Sequence, residues 1–274
     1  MRRDLATADL REELPGIEPD RQLNDWGRSQ RVEALFDGAL GGFLYHYWFR
    51  VEVEGIENVP DRTGAVLAAN HAGALPSDGL MVVKAVRESH PSRRSVHVTT
   101  DRVFRSVPGV GMVATKLGAV ADHPANLQRL LFDESQLALV FPEGRSGPRK
   151  PINERYRLRR FDPGFVRAAG QAGAPIVPVA VVGSEESVPV LARLRPGARL
   201  PGPGPLRRLG RTLGLPVVPA VPLPAKYRIR FLEPVPPQDL ASADAAEDLA
   251  QQIRALVQEN LLEMVAARRS VWLG

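Results

Sequence analysis

Apolar positions along this chain of 274 residues follow two rhythms that alternate. Short apolar runs at Val51 to Glu54, Ala65 to Ala69, Ser95 to Thr100, Leu137 to Phe141, Ile176 to Val182 and Tyr227 to Phe231 have the length and branching of strands. Between them apolar residues return every three or four positions. This predicts helices over Ser77 to Ser89, Val110 to Leu117, Ala125 to Glu134, Asp162 to Ala172 and about Ala243 to Arg269. The alternation predicts an α/β fold, a single sheet of mostly parallel strands flanked by helices. From Ser29 to Phe49 the stripe Val32, Leu35, Phe36, Ala39, Leu40, Phe43, Leu44 and Tyr47 predicts an amphipathic helix, kinked near Gly41-Gly42. That stripe suits either packing on the core or lying in a lipid interface, where Trp and Tyr are favoured. The expected organisation is a polar tail and amphipathic helical arm over 1–49, followed by one α/β domain over 50–274. Residues 193–224, rich in Pro, Gly and Arg yet apolar at Leu206, Leu209, Leu213, Leu215 and Val217, read as an insertion with a job or a cover for the sheet edge.

A hydrophobic content of 44% is enough for a full core. The absence of cysteine excludes disulfides, thiolate nucleophiles and Cys-ligated metals. The polar start, through Asp25, is not expected to be a secretory signal, and nowhere do 18 apolar residues run together. The expectation is a protein that lies on a membrane rather than crossing it. The net charge of +5 is almost wholly arginine, with lysine only at positions 84, 116, 150 and 226, and the surplus lies between Arg145 and Arg211. Arginine favours phosphate and carboxylate partners. The basic segments carry few aromatics and no nucleic-acid-binding signature, so no nucleic-acid partner is expected. His46, His90, His97 and His123 lack paired ligands at metal spacing, and no metal is expected.

Candidate chemistry sits at two strand ends. The run Ala65 to Ala69 leads into Asn70-His71, with Asp78 after six intervening residues. A histidine with a carboxylate to orient it is the minimal kit for taking a proton from a hydroxyl. The strand Leu137 to Phe141 leads into Pro142-Glu143-Gly144-Arg145-Ser146, followed by Arg149 and Lys150. This turn presents one carboxylate and then a run of anion-binding groups. In one unbroken helix, positions seven apart would lie about 10 Å apart along the axis. Gly73 and Pro76 argue against such a helix, and a bulged loop folding Asp78 back under His71 is the expectation.

Together, Asn70-His71 to Asp78, Phe141 to Ser146, and Ala174-Pro175-Ile176-Val177-Pro178-Val179 resemble three ordered blocks of the glycerolipid acyltransferases typified by lysophosphatidate acyltransferases. Gly118-Ala119-Val120 stands where a further block would lie. The resemblance runs from about Val51 to Glu233 and implies O-acyl transfer from acyl-CoA or acyl-carrier protein, as co-substrate, to a hydroxyl of a lysophospholipid. It further implies His71 as general base, Asp78 as its partner, no covalent intermediate and no bound cofactor. Glu143, Gly144, Arg145 and Ser146 would shape the acceptor site. The chain departs from the family in its longer His to Asp spacing and in its arginines. Arg145 comes one residue early, and Ala121-Asp122-His123 stand where the other arginine would be, so Lys116, His123, Arg149 and Lys150 are the substitute phosphate ligands. The expected place of action is the cytoplasmic face of a membrane, as a peripheral protein meeting a membrane lipid acceptor and an acyl thioester donor. The same residues leave open a lipid or thioester hydrolase, or a catalytically silent lipid-binding protein of the same fold.

Overall fold

The run Ala65–Ala69 is apolar at every position and buried at every position, because it is the middle strand of a sheet covered on both faces. The computed structural model describes residues 23–71, 77–101, 109–150, 154–189, 192–193, 216–217, 219, 221–238 and 242–274. Its strands are β1 (Glu52–Glu54), β2 (Ala65–Ala69), β3 (Val96–Thr100), β4 (Ala119–Ala121), β5 (Leu137–Val140), β6 (Ile176–Val182), β7 (Ala192–Arg193), β8 (Pro216–Val217) and β9 (Arg228–Phe231). Seven form one sheet in the order β1-β9-β6-β2-β5-β3-β4, while β7 and β8 make a separate antiparallel ribbon. From β6 through β4 every pairing is parallel, and β9 alone runs antiparallel to its neighbour β6. The carboxyl ends of β2, β3, β4, β5 and β6 therefore emerge along one edge. Open α/β sheets hold ligands there.

The helices are α1 (Gln30–Phe36), α2 (Ser77–Ser89), α3 (Val110–Lys116), α4 (Pro124–Gln128), α5 (Gly164–Ala172), α6 (Ser184–Ser187) and α7 (Ala243–Ala267). Two-residue alternation along β2 divides the core. Val66 and Ala68 join Leu127, Phe165 and the inner stripe of α7, whereas Ala65, Leu67 and Ala69 join Phe49 and Met81, Val82 and Val86 of α2. The stripe of α7, Ala246, Leu249, Ala250, Ile253, Val257, Leu261 and Met264, recurs at helical spacing. Ser242 caps α7, its hydroxyl accepting from the Ala245 N–H at 3.1 Å. Burial of each larger side chain in that stripe is worth about 1.5–3 kcal/mol.

The expected kinked helix is present, and its irregularity has a specific form. After α1 the chain continues through two π-helical turns, Asp37–Gly41 and Leu44–Trp48, on either side of the Gly41-Gly42 pair. Tyr45 and Phe49 point into the second core, while Leu35, Leu40, Phe43 and Tyr47 are exposed. Asp37 pairs with Lys84 and Arg87 of α2, so this helix is fastened to the body of the fold. Residues 1–22 of the expected arm, and most of the 193–224 insertion, lie outside the described residues. Among described residues no helix is long and apolar enough to cross a membrane.

One side chain continues the sheet beyond β2. Asn70, fully buried, donates to the Val181 carbonyl at 3.0 Å and accepts from the Val181 N–H at 2.7 Å, acting as an extra ladder position across to β6. It fixes the direction in which the chain leaves β2, one residue before His71. Replacing it strips two buried backbone groups of their partners. Asn70→Ala should lower unfolding free energy by about 1–3 kcal/mol in urea titrations at unchanged m-value. A shift below a few tenths would mean that these bonds do not hold the strand end.

Candidate active site

His71 leaves β2 at the edge where the parallel strands end, and Asp78 enters from the first turn of α2. The imidazole Nδ1 lies 2.7 Å from Asp78 Oδ2. Helix α2 begins only at Ser77, so seven positions of sequence separation do not become 10 Å of helix, and the two side chains meet. The connecting residues 72–76 lie outside the described residues. Asp78 is fully buried at a helix N-terminus, where the backbone dipole favours negative charge, and Oδ1 accepts from the Gly79 N–H at 2.8 Å. The neighbouring Ser77 hydroxyl is 3.0 Å from the Tyr227 hydroxyl, which in turn is 2.8 Å from Ser187 Oγ. These contacts tie the start of α2 to β9 and α6.

With Nδ1 turned to the carboxylate, Nε2 is the ring atom left for a ligand, and the His71 side chain retains 20% exposure. The Phe141 ring lies against the imidazole, with centroids 4.4 Å apart. Burial disfavours the imidazolium. That is the largest single effect, but the charge and hydrogen bond of the adjacent Asp78 carboxylate, with Glu143 adding and Lys150 opposing, together outweigh it, so the pKa of His71 is raised above its ordinary value. A raised pKa makes His71 a stronger base.

The Pro142-Glu143-Gly144 turn does not present its carboxylate to solvent. Glu143 Oε1 accepts from the His71 backbone N–H at 3.2 Å, Oε2 accepts from the Arg159 N–H at 2.8 Å, and the Lys150 ammonium stands 3.2 Å from Oε2. Both side chains are almost wholly buried, and Lys150 also reaches Glu185 Oε1 at 3.1 Å. The structure thus brings Glu143 and Lys150 to the site but engages both internally, where the sequence suggested that they would face the acceptor. The remainder of the turn, Gly144–Arg149, is a 3₁₀ helix in which the Ser146 hydroxyl donates to the Glu143 carbonyl at 2.5 Å. Gly144 takes a positive φ of 54°. A Cβ on Gly147 would stand 2.5 Å from the His71 carbonyl oxygen, so this turn packs directly on the histidine's backbone. The side chains of Arg145 and Arg149 lie outside what the structure describes.

Other candidates separate from the site. Lys116 ends α3, and its ammonium makes no hydrogen bond or ion pair with His71 or Glu143 among the described residues. His123 caps α4, its Nδ1 accepting from the Ala125 N–H. His46 pairs with Glu88, the buried His90 ring meets the Val59 carbonyl, and burial with the charge of Arg28 pushes His97 down to about 4. No group of three His, Cys, Asp or Glu residues suited to a metal occurs among the described residues.

Glu185 and Glu186, which follow Gly183 and read from the sequence as the start of a helix, do stand in the first turn of α6, and the sequence shows no direct link between them and the site. Both are buried in α6. Glu185 accepts from the Tyr156 N–H at 2.6 Å, and Glu186 binds the Tyr156 hydroxyl and Arg268. The available signal was their position, just past the end of β6 on the edge that carries His71.

A cavity of about 400 Å³ opens beside Gly79. Its wall is apolar, from Phe36, Leu80, Val98, Val110, Val113 and Leu117. A Cβ on Gly79 would lie 3.5 Å from the Phe141 ring and 3.6 Å from Val98, so a larger side chain there would take up part of the cavity next to Asp78.

Comparison with known proteins agrees with this arrangement. A family model described as Acyltransferase matches residues 50–182, the span that holds β1 to β6 and both strand-end motifs. An uncharacterized protein of Mycobacterium tuberculosis is 38% identical over 97% of this chain and 75% of its own length. A second, from Mycobacterium leprae, is 41% identical over 97% of this chain and 73% of its own length. Among solved structures, the 1-acyl-sn-glycerophosphate (LPA) acyltransferase PlsC from Thermotoga maritima superposes with a TM-score of 0.55 at 21% identity, covering 86% of this chain and 81% of that one. That likeness establishes the same fold, a mostly parallel sheet flanked by helices. Over residues 50–182 the chain carries an acyltransferase-family domain.

Proposed function

We propose that this protein transfers a fatty acyl group from a thioester, acyl-CoA or acyl-carrier protein, to a free hydroxyl of a lysophosphatidate-like lysophospholipid, with His71 as general base. The observation that carries this reading is the 2.7 Å contact of His71 Nδ1 with buried Asp78, beside an apolar cavity of about 400 Å³. Asp78 holds the proton on Nδ1, and Nε2 takes the proton of the acceptor hydroxyl as its oxygen attacks the thioester carbonyl. The tetrahedral intermediate collapses with cleavage of the C–S bond, and the leaving thiolate receives that proton from the imidazolium. A thioester needs no further activation, so positioning and proton removal carry most of the work. The cavity suits an acyl chain. With Glu143 and Lys150 engaged internally, the acceptor head group is assigned to the Gly144-Arg145-Ser146 turn.

Membrane association belongs to the same proposal. Leu35, Leu40, Phe43 and Tyr47 are exposed on the α1 arm, and Val110, Met112 and Val113 are exposed on α3, which flanks the cavity with α1. The Ser29 N–H donates to the Lys116 carbonyl at 2.9 Å, binding the two helices together. Apolar side chains gathered at the mouth of an apolar cavity suit a bilayer surface, from which a lysolipid would enter without crossing water.

Three outcomes are expected. With purified protein, an acyl-CoA panel and mixed lysolipids, mass spectrometry should find a new diacyl product that His71→Ala abolishes while circular dichroism stays unchanged. Free fatty acid as the only product would assign a hydrolase, and binding to liposomes without turnover would assign a lipid-binding protein. The base must be neutral to act, so kcat/KM should rise with pH through an apparent pKa above 6.5. Asp78→Asn should move that limb to lower pH and cut kcat by about 10²–10⁴; an unmoved limb would detach the profile from this pair. Gly79→Leu should reduce turnover of long-chain donors about tenfold or more while sparing short ones. An equal loss across chain lengths would place the acyl chain elsewhere.

A further inference from the structure

A lysine in a run of basic residues beside a phosphate-handling turn reads as a phosphate ligand. The structure places Lys150 elsewhere, with 2% of its side chain exposed and its ammonium between two buried carboxylates, Glu143 on one side and Glu185 on the other. Glu143 is in turn the acceptor for the His71 backbone N–H. Glu185 is held from behind by the Tyr156 N–H, and the Tyr156 hydroxyl meets Glu186 and the Gly183 N–H. Four segments therefore converge on one ammonium: the exits of β2, β5 and β6, and the turn and following loop that carry Tyr156 and Arg159.

We infer that Lys150 and Glu185 are positioning residues, a buried ion pair that holds the Glu143 carboxylate on the His71 peptide and so aims the imidazole. This inference rests on the reading of His71 as the base. The physical argument is one of satisfaction. A buried carboxylate without a cation is strongly disfavoured and would swing to water or take a proton. Among the described residues Glu143 has two backbone donors, and neither neutralises its charge. Lys150 supplies that charge, and a single buried ammonium with one carboxylate would pivot about one contact. Glu185 supplies the second contact, from the far side, fixing where Nζ stands. The Gly144–Arg149 turn lies close against the same residue, since a Cβ on Gly147 would stand 2.5 Å from the His71 carbonyl oxygen.

The electrostatics of the set agree with that role. Among the described side chains, the charged groups around the ring are Asp78 from α2, Glu143 and Lys150 from the turn after β5, and Glu185 from α6 behind Lys150, with the Phe141 ring on its face. Counting the three carboxylates against one ammonium, the set favours the imidazolium that forms when the proton is taken. Removing the Glu185 charge should weaken that preference.

The test uses Lys150→Met and Glu185→Gln in the full chain, with two readouts. The first is amide hydrogen exchange at His71, which needs no activity. Both variants should speed exchange of the His71 N–H at least tenfold relative to residues 66–68 of β2. The second is kinetic, with lysophosphatidate and a monoacylglycerol as acceptors. Both variants should lower kcat about tenfold or more for both acceptors, at KM values within about twofold of wild type, and Glu185→Gln should move the acid limb of the profile to lower pH. A phosphate-binding Lys150 would instead raise KM for lysophosphatidate alone and leave His71 exchange unchanged, and either result overturns the inference. Should Lys150→Met fail to fold, Glu185→Gln decides the question alone, because Lys150 keeps one carboxylate partner. A wild-type protein that transfers no acyl group overturns the function proposed above, while the exchange measurement still decides whether the pair holds His71.

Discussion

The arrangement at the sheet edge depends on satisfying one buried carboxylate. Glu143 cannot be placed where it is without donors, and its donors come from the His71 peptide, from Lys150 and from Arg159. Meeting that demand joins the exits of β2 and β5 to each other and to the stretch before α5. Lys150 then extends the set to the exit of β6 through Glu185. A buried ion pair of this kind adds little net stability, since desolvation offsets most of the attraction. Its effect is on geometry, for there is one arrangement in which every member is paired and many in which a charge is stranded. The His71–Asp78 contact stands on that base, with its carboxylate buried and its ring partly open.

Much of this was readable from the chain. The strands at 65–69 and 176–182 and the helix at 77–89 have the ends that the hydrophobic pattern predicts, because a strand buried on both faces tolerates no polar interruption and Gly, Pro and Ser bound it. The β1 and β9 strands each begin one residue later than expected, at Glu52 and Arg228. The two π-helical turns of the first helix were legible only as a kink at Gly41-Gly42, since a local change in hydrogen-bond step leaves the apolar spacing almost intact. His71 and Asp78 were visible as residues, and their contact was not. It depends on α2 starting at Ser77, and a helix started five residues earlier would have separated them.

The roles of Glu143, Lys150, Glu185 and Tyr156 were invisible for a different reason. Sequence reports the type of a charged residue and the company it keeps along the chain, whereas burial is set by what folds over it. Lys150 follows Arg149 and stands a few residues from Arg145, and that company suggested an anion-binding surface. Its ammonium instead meets Glu185, 35 positions away in the sequence. Asn70 carries the same lesson in a neutral form. As the first half of an Asn-His pair it looked like part of the chemistry, and its amide is spent on the backbone of Val181.

The two faces of the sheet differ in what they offer. On the face that buries Leu67 and Met81, α1 and α3 enclose the apolar cavity and expose apolar side chains around it. On the other, Tyr156, Leu158 and Phe161 sink into the core while Arg155, Arg157, Arg159 and Arg160 stay in solvent. Arg159 and Arg160 are paired with Glu154 and Glu247. His71 sits at the edge between these faces, at the end of β2, which like β5 and β6 contributes side chains to both cores at alternate positions. The proposed lysophosphatidate-like acceptor has the same division, with its free hydroxyl on the glycerol between a hydrocarbon tail and a charged head. With His71 as the proposed base, its place where an apolar face meets a basic one would let each part of such a substrate find its own environment with the hydroxyl at the boundary.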